Sequence, residues 1–406
     1  MPTMRNNGFH TVLLAWELGS DLGHVARLRP LARALVRRGH EVVLAARNLE
    51  NVAGLPERVR AIQAPTTDAV TVTYPIREPA TFADILYNTG AGNAEGLWGL
   101  VDAWHEILDR VEPDVVVHDF SPFALLAALS RPVASVLLGT GFACPPPIPR
   151  LPDLRAWQDH YPDRIRATED AVLSALNSQL EKRGQAPLAA VGELFARADE
   201  NLLTTFPELD HYPQRQEMGV GSYEYIGTWS DLGGPEPAWP QGQGPRIFAY
   251  LKPFKGLPRL LEHLMQAGYP TLVFLPGDMD VSRWQSSSMR IVKEPLNMGR
   301  VAATCDLAVL HAGHGSTAAM LLAGKPIVQI PFVVEQYHTA QNTDRLGAGI
   351  HAALDDPDEI CRAVDRAASD HCLKTAAEAF ARKYADHDSQ KALSRVVERI
   401  EKLAYP

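Results

Sequence analysis

Apolar residues run without a break from Thr11 to Trp16, and an uninterrupted run this short predicts a strand buried on both faces. After a Gly-containing loop, Val25, Leu28, Leu31, Ala32, Leu35 and Val36 fall on one face of a helix that Gly39 ends. Arg37 and Arg38 occupy its last turn, where positive charge is favourable, and Glu41 to Ala46 reads as the next strand. This is a βαβ unit on a parallel sheet, and such sheets bind ligands beyond the carboxyl ends of their strands. Val115 to Val117, running into His118 and Asp119, repeats the pattern with a helix from about Pro122 to Leu129 and a strand near Val133 to Leu138. The alternation predicts a doubly wound α/β domain.

Two segments interrupt the rhythm. Pro145, Pro146, Pro147, Pro149 and Pro152 exclude a helix or central strand between Cys144 and Leu154, and helical patterns resume over about 155–200. Gly233, Gly234, Pro235, Pro237, Pro240, Gly242 and Gly244 give the stretch 227–245 the composition of a linker. The βα rhythm then restarts with Arg246 to Leu251, a helix from Pro258 to Ala267, Thr271 to Leu275, Asp306 to Leu310, a helix from Ser316 to Leu322, and Ile327 to Phe332. The expected architecture is two Rossmann-like doubly wound α/β domains with a cleft between them. Their bounds are 1–226 and 246–388, with 227–245 as linker and a last helix in 389–406 that returns to the first domain.

Composition narrows the function. The 406 residues are 46% hydrophobic and 21% charged, which suits a globular protein of two or three domains and excludes a disordered or fibrous chain. Against 48 Asp and Glu stand 39 Lys and Arg, a net charge of −9 with no dense basic run, so nucleic acid is not an expected partner. Cys144, Cys305, Cys361 and Cys372 match neither a disulfide framework nor a paired metal motif. No secretory signal is readable, and the longest membrane candidate, Ala124 to Cys144, is broken by Arg131 and Pro132. A cytoplasmic protein with no integral membrane segment is expected.

The richest chemistry lies in DLAVLHAGHGSTAAMLLAGKPIVQIPFVVEQYHTAQNTDRLGAG, from Asp306 to Gly349. A buried strand stops at His311, Gly313 and Gly315 permit a tight turn, and Ser316 and Thr317 open a helix whose first N–H groups point at the loop. Hydroxyl donors, the helix dipole and His311 together suit a diphosphate. A capped helix with a Gly-rich entry is the alternative for such a loop taken alone.

The series HAGHGST, GKPIVQIP, then EQ and GAG resembles the donor-binding signature of family 1 nucleotide-sugar glycosyltransferases of the two-lobed GT-B fold. GSDLGHVARLRPLARALVRRGHEV in the first domain resembles the same family's opening pattern, a loop ending in Gly-His before an amphipathic helix. The resemblance implies sugar transfer from a UDP- or dTDP-sugar bound in the second domain to a small-molecule or lipid-like acceptor bound in the first. His311, Gly313, Gly315, Ser316 and Thr317 would meet the diphosphate, and Glu335 and Gln336 the sugar hydroxyls. Lys252, past the strand from Arg246 to Leu251, adds positive charge near the diphosphate or is a solvated surface lysine.

The family's base is a histidine of the first-strand loop oriented by a strand-end aspartate, which implies His24 and Asp119 here. The usual position of that histidine holds Leu22, so His24 as a structural helix-capping residue stays open, with Asp21 or Glu17 as alternative bases. Asp119 as a plain helix cap stays open too. Lys293 stands where many relatives stack a Trp on the base. Asp278-Met279-Asp280 has the metal-binding DxD form but is read as coincidental, so no metal and no cofactor beyond the nucleotide sugar are expected. Phe82, Tyr87, Trp98 and Trp104 either line an acceptor pocket or pack the core. The implied function is an inverting, metal-independent glycosyltransferase; the alternatives are a catalytically silent nucleotide-sugar-binding partner and a GT-B epimerase or hydrolase.

Overall fold

A strand covered by helices on both faces must be apolar on both sides, and Thr11–Trp16 is buried along its whole length. The computed structural model describes residues 10–19, 22–52, 54–218, 223–229 and 233–404. The described residues of Met1–Pro207, Tyr212–Trp229 and Ser389–Pro406 form one compact unit, and those of Glu208–His211 and Ser230–Asp388 a second.

In unit 1 the strands are β1 (Thr11–Trp16), β2 (Glu41–Ala46), β3 (Val59–Gln63), β4 (Val115–Asp119), β5 (Ala134–Gly139), β6 (Glu200–Leu203) and β7 (Glu224–Tyr225). Its helices are α1 (Leu22–Arg37), α2 (Phe82–Leu86), α3 (Ala94–Val111), α4 (Pro122–Ala128), α5 (Pro162–Lys182) and α6 (Glu193–Ala196). Unit 2 contains β8 (Ile247–Tyr250), β9 (Thr271–Phe274), β10 (Met289–Val292), β11 (Leu307–Leu310), β12 (Ile327–Gln329) and β13 (Gly349–His351). Around them lie α7 (Leu257–Ala267), α8 (Met298–Thr304), α9 (His314–Leu322), α10 (Val334–Arg345), α11 (Pro357–Ser369) and α12 (His371–Lys383). The last helix, α13 (Ser389–Ala404), belongs to unit 1.

All paired strands are parallel, ordered β3-β2-β1-β4-β5-β6-β7 in unit 1 and β10-β9-β8-β11-β12-β13 in unit 2. Both sheets therefore reverse direction of winding beside their first strand, between β1 and β4 and between β8 and β11. Such a reversal opens a crevice at the carboxyl ends of the two strands. The expected pair of doubly wound α/β domains is what the chain forms.

Local differences from the sequence reading matter for chemistry. Helix α1 starts at Leu22, so Gly23 and His24 lie in its first turn and not in the preceding loop. Small and polar residues at those positions left no periodic trace. Pro30 sits inside α1 and removes a backbone donor, a cost of about 3 kcal/mol in an isolated helix. Burial of Val25, Leu28, Leu31, Ala32 and Leu35 offsets it, each large side chain contributing about 1.5–3 kcal/mol. Helix α9 likewise begins at His314, ahead of Ser316, with Gly313 as its N-cap.

Ala392, Leu393, Val396, Val397 and Ile400 of α13 share the core of unit 1 with Leu28, Leu31 and Leu35. Arg399 reaches Glu200 at 3.1 Å and Glu224 at 2.9 Å, tying α13 to β6 and β7. Glu208–His211, read from sequence as part of the first domain, belongs to unit 2. Asn342 Nδ2 donates to the Asp210 carbonyl at 2.9 Å, and the Tyr384 hydroxyl donates to Glu208 at 2.6 Å. Among the described residues no helix is long and apolar enough to cross a membrane.

Candidate active site

The parallel register that sets Trp16 beside Asp119 places the ends of β1 and β4 together, and the first turn of α1 closes over them. Asp119 is fully buried there. Its Oδ1 lies 3.1 Å from His24 Nδ1, so a neutral His24 that donates from Nδ1 leaves Nε2 as proton acceptor. Arg27, one turn further along α1, donates from Nε to Oδ2 at 3.2 Å and from Nη2 to Oδ1. Burial by itself would push the Asp119 carboxyl up, but Arg27 and then His24 outweigh it and hold the group below the usual carboxylate range.

The imidazole is held on its faces as well. Trp16 stacks on His24 at 5.2 Å and Phe120 lies at 6.1 Å. Gly19 has φ +78°, and a Cβ there would stand 2.5 Å from His24 Nε2, so this glycine makes room for the ring. Phe120 has φ +50°, an uncommon conformation for a bulky residue that carries backbone strain. Its ring joins Phe82 at 6.0 Å and Phe142 at 6.3 Å, an aromatic wall beside His24.

Of the aromatics singled out in the sequence, Phe82 belongs to this wall. Trp98 lies under Lys182 Nζ at 3.6 Å, and the buried Trp104 donates from Nε1 to Glu17 at 2.8 Å. Glu17 is fully buried, and its second oxygen accepts the N–H groups of Phe123 at 3.0 Å and Ala124 at 3.4 Å, at the start of α4. Burial raises its carboxyl to about 7 against the lowering effect of those hydrogen bonds. Both oxygens being engaged, Glu17 is built into the fold and not presented to an acceptor. Asp21 lies outside the described residues.

In unit 2 the switch between β8 and β11 carries the Gly-rich loop. His311 follows β11 with its ring edge-on to Tyr250 at 4.4 Å and its Nδ1 3.4 Å from the Tyr250 carbonyl. Ala312 turns with φ +58°, and Gly313 leads into α9, which has no side-chain cap. A Cβ built on Gly313 would meet His311 Nε2 at 3.0 Å and Ser316 Oγ at 3.4 Å, so the two polar atoms flank one spot at the helix start. A Cβ on Gly315 would meet nothing within 4 Å. A helix beginning with open space over a glycine and a histidine and serine beside it is suited to an anion.

Other expected donor contacts are differently disposed. Thr317 is fully buried and its hydroxyl accepts from Gln329 Nε2 at 2.9 Å, facing β12. Gln336 is buried and accepts from the Phe332 N–H at 2.8 Å, holding the entry to α10. Glu335 is half-buried in the first turn of α10, and Lys252 is half-buried two residues past β8. Asp280 accepts from the Ser282 N–H at 2.9 Å in a local turn. Arg27, Trp16, Phe120 and Phe142 are the site residues the sequence reading missed; the three-residue spacing of His24 and Arg27 was the available signal for Arg27.

Residues 283–403 match the family described as erythromycin biosynthesis protein CIII-like, C-terminal domain. A curated relative, UDP-sugar-dependent glycosyltransferase 52 of Dictyostelium discoideum, is 30% identical over 79 residues, 20% of this chain and 5% of that protein. The chain thus matches only a small part of that relative's length. Among solved structures, the calicheamicin glycosyltransferase CalG4 aligns with a TM-score of 0.71 at 20% identity, covering 97% of this chain and 98% of that one. The Streptomyces sp. SF2575 glycosyltransferase SsfS6 aligns at 0.64 with 18% identity over 96% and 99%. The spinosyn rhamnosyltransferase SpnG aligns at 0.65 with 17% identity over 96% and 100%. Residues 283–403 are thus similar to the EryCIII-like C-terminal domain, and over nearly its whole length the chain has the GT-B fold of these glycosyltransferases.

Proposed function

We propose that the chain is an inverting, metal-independent glycosyltransferase that moves a sugar from a UDP- or dTDP-sugar to a small-molecule or lipid-like acceptor. The observation that carries this reading is the uncapped start of α9, where His311 Nε2 and Ser316 Oγ flank Gly313 and Gly315 leaves open space. Two solved relatives were crystallised with thymidine diphosphate and one of them also with spinosyn aglycone, which supports a nucleotide donor and a small-molecule acceptor. His24 Nε2 takes the proton of the acceptor hydroxyl while that oxygen attacks the anomeric carbon. The bond to the diphosphate breaks, its electron pair leaving with the nucleotide, whose charge the helix start, His311 and Ser316 stabilise. Glu335, Gln336 and Lys252 complete the donor site, and the aromatic wall of Phe82, Phe120 and Phe142 faces the acceptor. Asp119 orients the base; Asp21 is the alternative base.

A thermal-shift panel of UDP, dTDP and GDP tests the donor half, because a ligand that binds only the folded protein raises its melting temperature. Gly315→Val should leave the unliganded melting temperature near that of the parent and abolish the nucleotide shift. Full retention of the shift in that variant refutes the phosphate assignment. Donor consumed with acceptor alone marks a transferase, whereas donor consumed without acceptor marks a hydrolase.

A further inference from the structure

Two carboxylates sit at the end of neighbouring strands in unit 1, both fully buried; Asp119 is paired directly with an arginine, whereas the nearest cation to Glu17, Arg47, donates to its backbone carbonyl at 3.3 Å and lowers the carboxyl only from a distance. Glu17 is surrounded by Trp104 and the amides of Phe123 and Ala124. Asp119 is gripped on both oxygens by the Nε and Nη2 edge of Arg27, a fork that a lysine or a single hydrogen bond does not reproduce. Arg27 itself is buried, and its backbone carbonyl accepts from Trp229 Nε1 at 3.0 Å, which anchors that turn of α1. The same Nη2 lies 3.4 Å from His24 Nδ1.

We infer that Arg27 is a positioning residue: its two-point grip keeps Asp119 ionised inside the fold, so that the carboxylate holds His24 as the Nδ1–H tautomer with Nε2 ready to accept a proton. The role assigned to His24 rests on the transferase reading above; the Arg27–Asp119–His24 arrangement does not. Glu17 is the internal comparison, a carboxyl equally buried without such a grip and raised to about 7, while that of Asp119 is lowered. Among the described residues, the charged and titratable groups that meet Asp119 are Arg27 and His24, both from α1. Trp16 from β1 and Phe120 beyond β4 cover the imidazole with apolar surface, and the Glu17 carboxyl is turned to α3 and α4.

The test is a pH titration of the imidazole nitrogens of His24 by nitrogen-15 NMR on the full chain, with His24→Gln assigning the signals. In the parent, the neutral ring should be the Nδ1–H tautomer, and a carbon-13 titration of Asp119 should show no inflection between about pH 5 and 9. Arg27→Gln keeps a donor to the carboxylate and removes the charge; it should bring an Asp119 inflection into that range and shift His24 towards the Nε2–H tautomer. Arg27→Lys, which restores the charge but not the fork, should recover the ionised carboxylate only in part, with the Asp119 inflection below that of Arg27→Gln. An unchanged His24 tautomer in Arg27→Gln overturns the inference, and so does an inflection of Asp119 in the parent, a result that needs no folded variant. The transferase reading fails separately, if His24→Ala keeps full turnover of nucleotide sugar with acceptor while the NMR result stands.

Discussion

Glu17 follows β1 and Asp119 ends the neighbouring strand β4, yet the two carboxyls shift in opposite directions and give the protein opposite responses to pH. A carboxyl raised in the fold binds protons that the unfolded chain has released, so the stability it allows is present below the unfolded value and lost as pH rises through the folded one. For Glu17 that window runs from about 4.5 to about 7. Asp119 is lowered, so its contribution is present above the unfolded value and lost on acidification below it. Chemical denaturation at pH 5 and pH 8 should show the parent losing stability at the higher pH and Glu17→Gln losing far less; an equal loss in both rules out Glu17 as the source. Thr317→Val is the second test at this scale. It strands the buried Gln329 amide and should cost about 1–3 kcal/mol in the denaturation midpoint, whereas Ser316→Ala should be nearly neutral to folding and weaken nucleotide binding.

At the scale of elements, helix starts carry the chemistry. Helix α3 is capped by Asn93, α8 by Asn297, α11 by Asp356 and α12 by Asp370, whereas α9 begins on Gly313 with no side-chain cap and with His311 and Ser316 beside it. An uncapped start costs stability that a bound anion restores. Helix α1 shows the other side of the balance, since Pro30 weakens it internally while His24 and Arg27 hold its first turns to β4. Pro30→Ala should therefore stabilise the protein by about 1–2 kcal/mol, the restored donor being partly offset by the freer unfolded chain. A lower denaturation midpoint for this variant contradicts the account of α1. Strand and helix identities were legible because uninterrupted apolar runs and one-sided helical patterns are local. Helix starts were less so: Gly23, His24 and His314 lie in first turns where no apolar periodicity marks them.

At the scale of the whole molecule, the chain does not stay with one unit at a time. Four residues of Glu208–His211 join unit 2, and α13 gives its apolar face to the core of unit 1 after the chain has traversed unit 2. Deleting 389–406 would uncover Leu393, Val396, Val397 and Ile400 and the surface they bury, at about 1.5–3 kcal/mol for each large side chain. Calorimetry of the truncated chain should show the transition of unit 1 lowered or lost and that of unit 2 retained; an unaltered first transition refutes this role for α13.

By itself the sequence determined the alternating elements, the doubly wound class and the Gly-rich turn after β11, because each is encoded within a few turns of chain by periodicity and by residues that allow tight backbone paths. Tertiary structure alone decided that Arg27 meets Asp119, 92 residues away, that Glu17 is enclosed by α3 and α4, and that Thr317 and Gln329 pair with one another. Those contacts depend on which strands lie side by side and on the burial that results. No local pattern carries that information, since strand order is set by the packing of segments far apart in the chain.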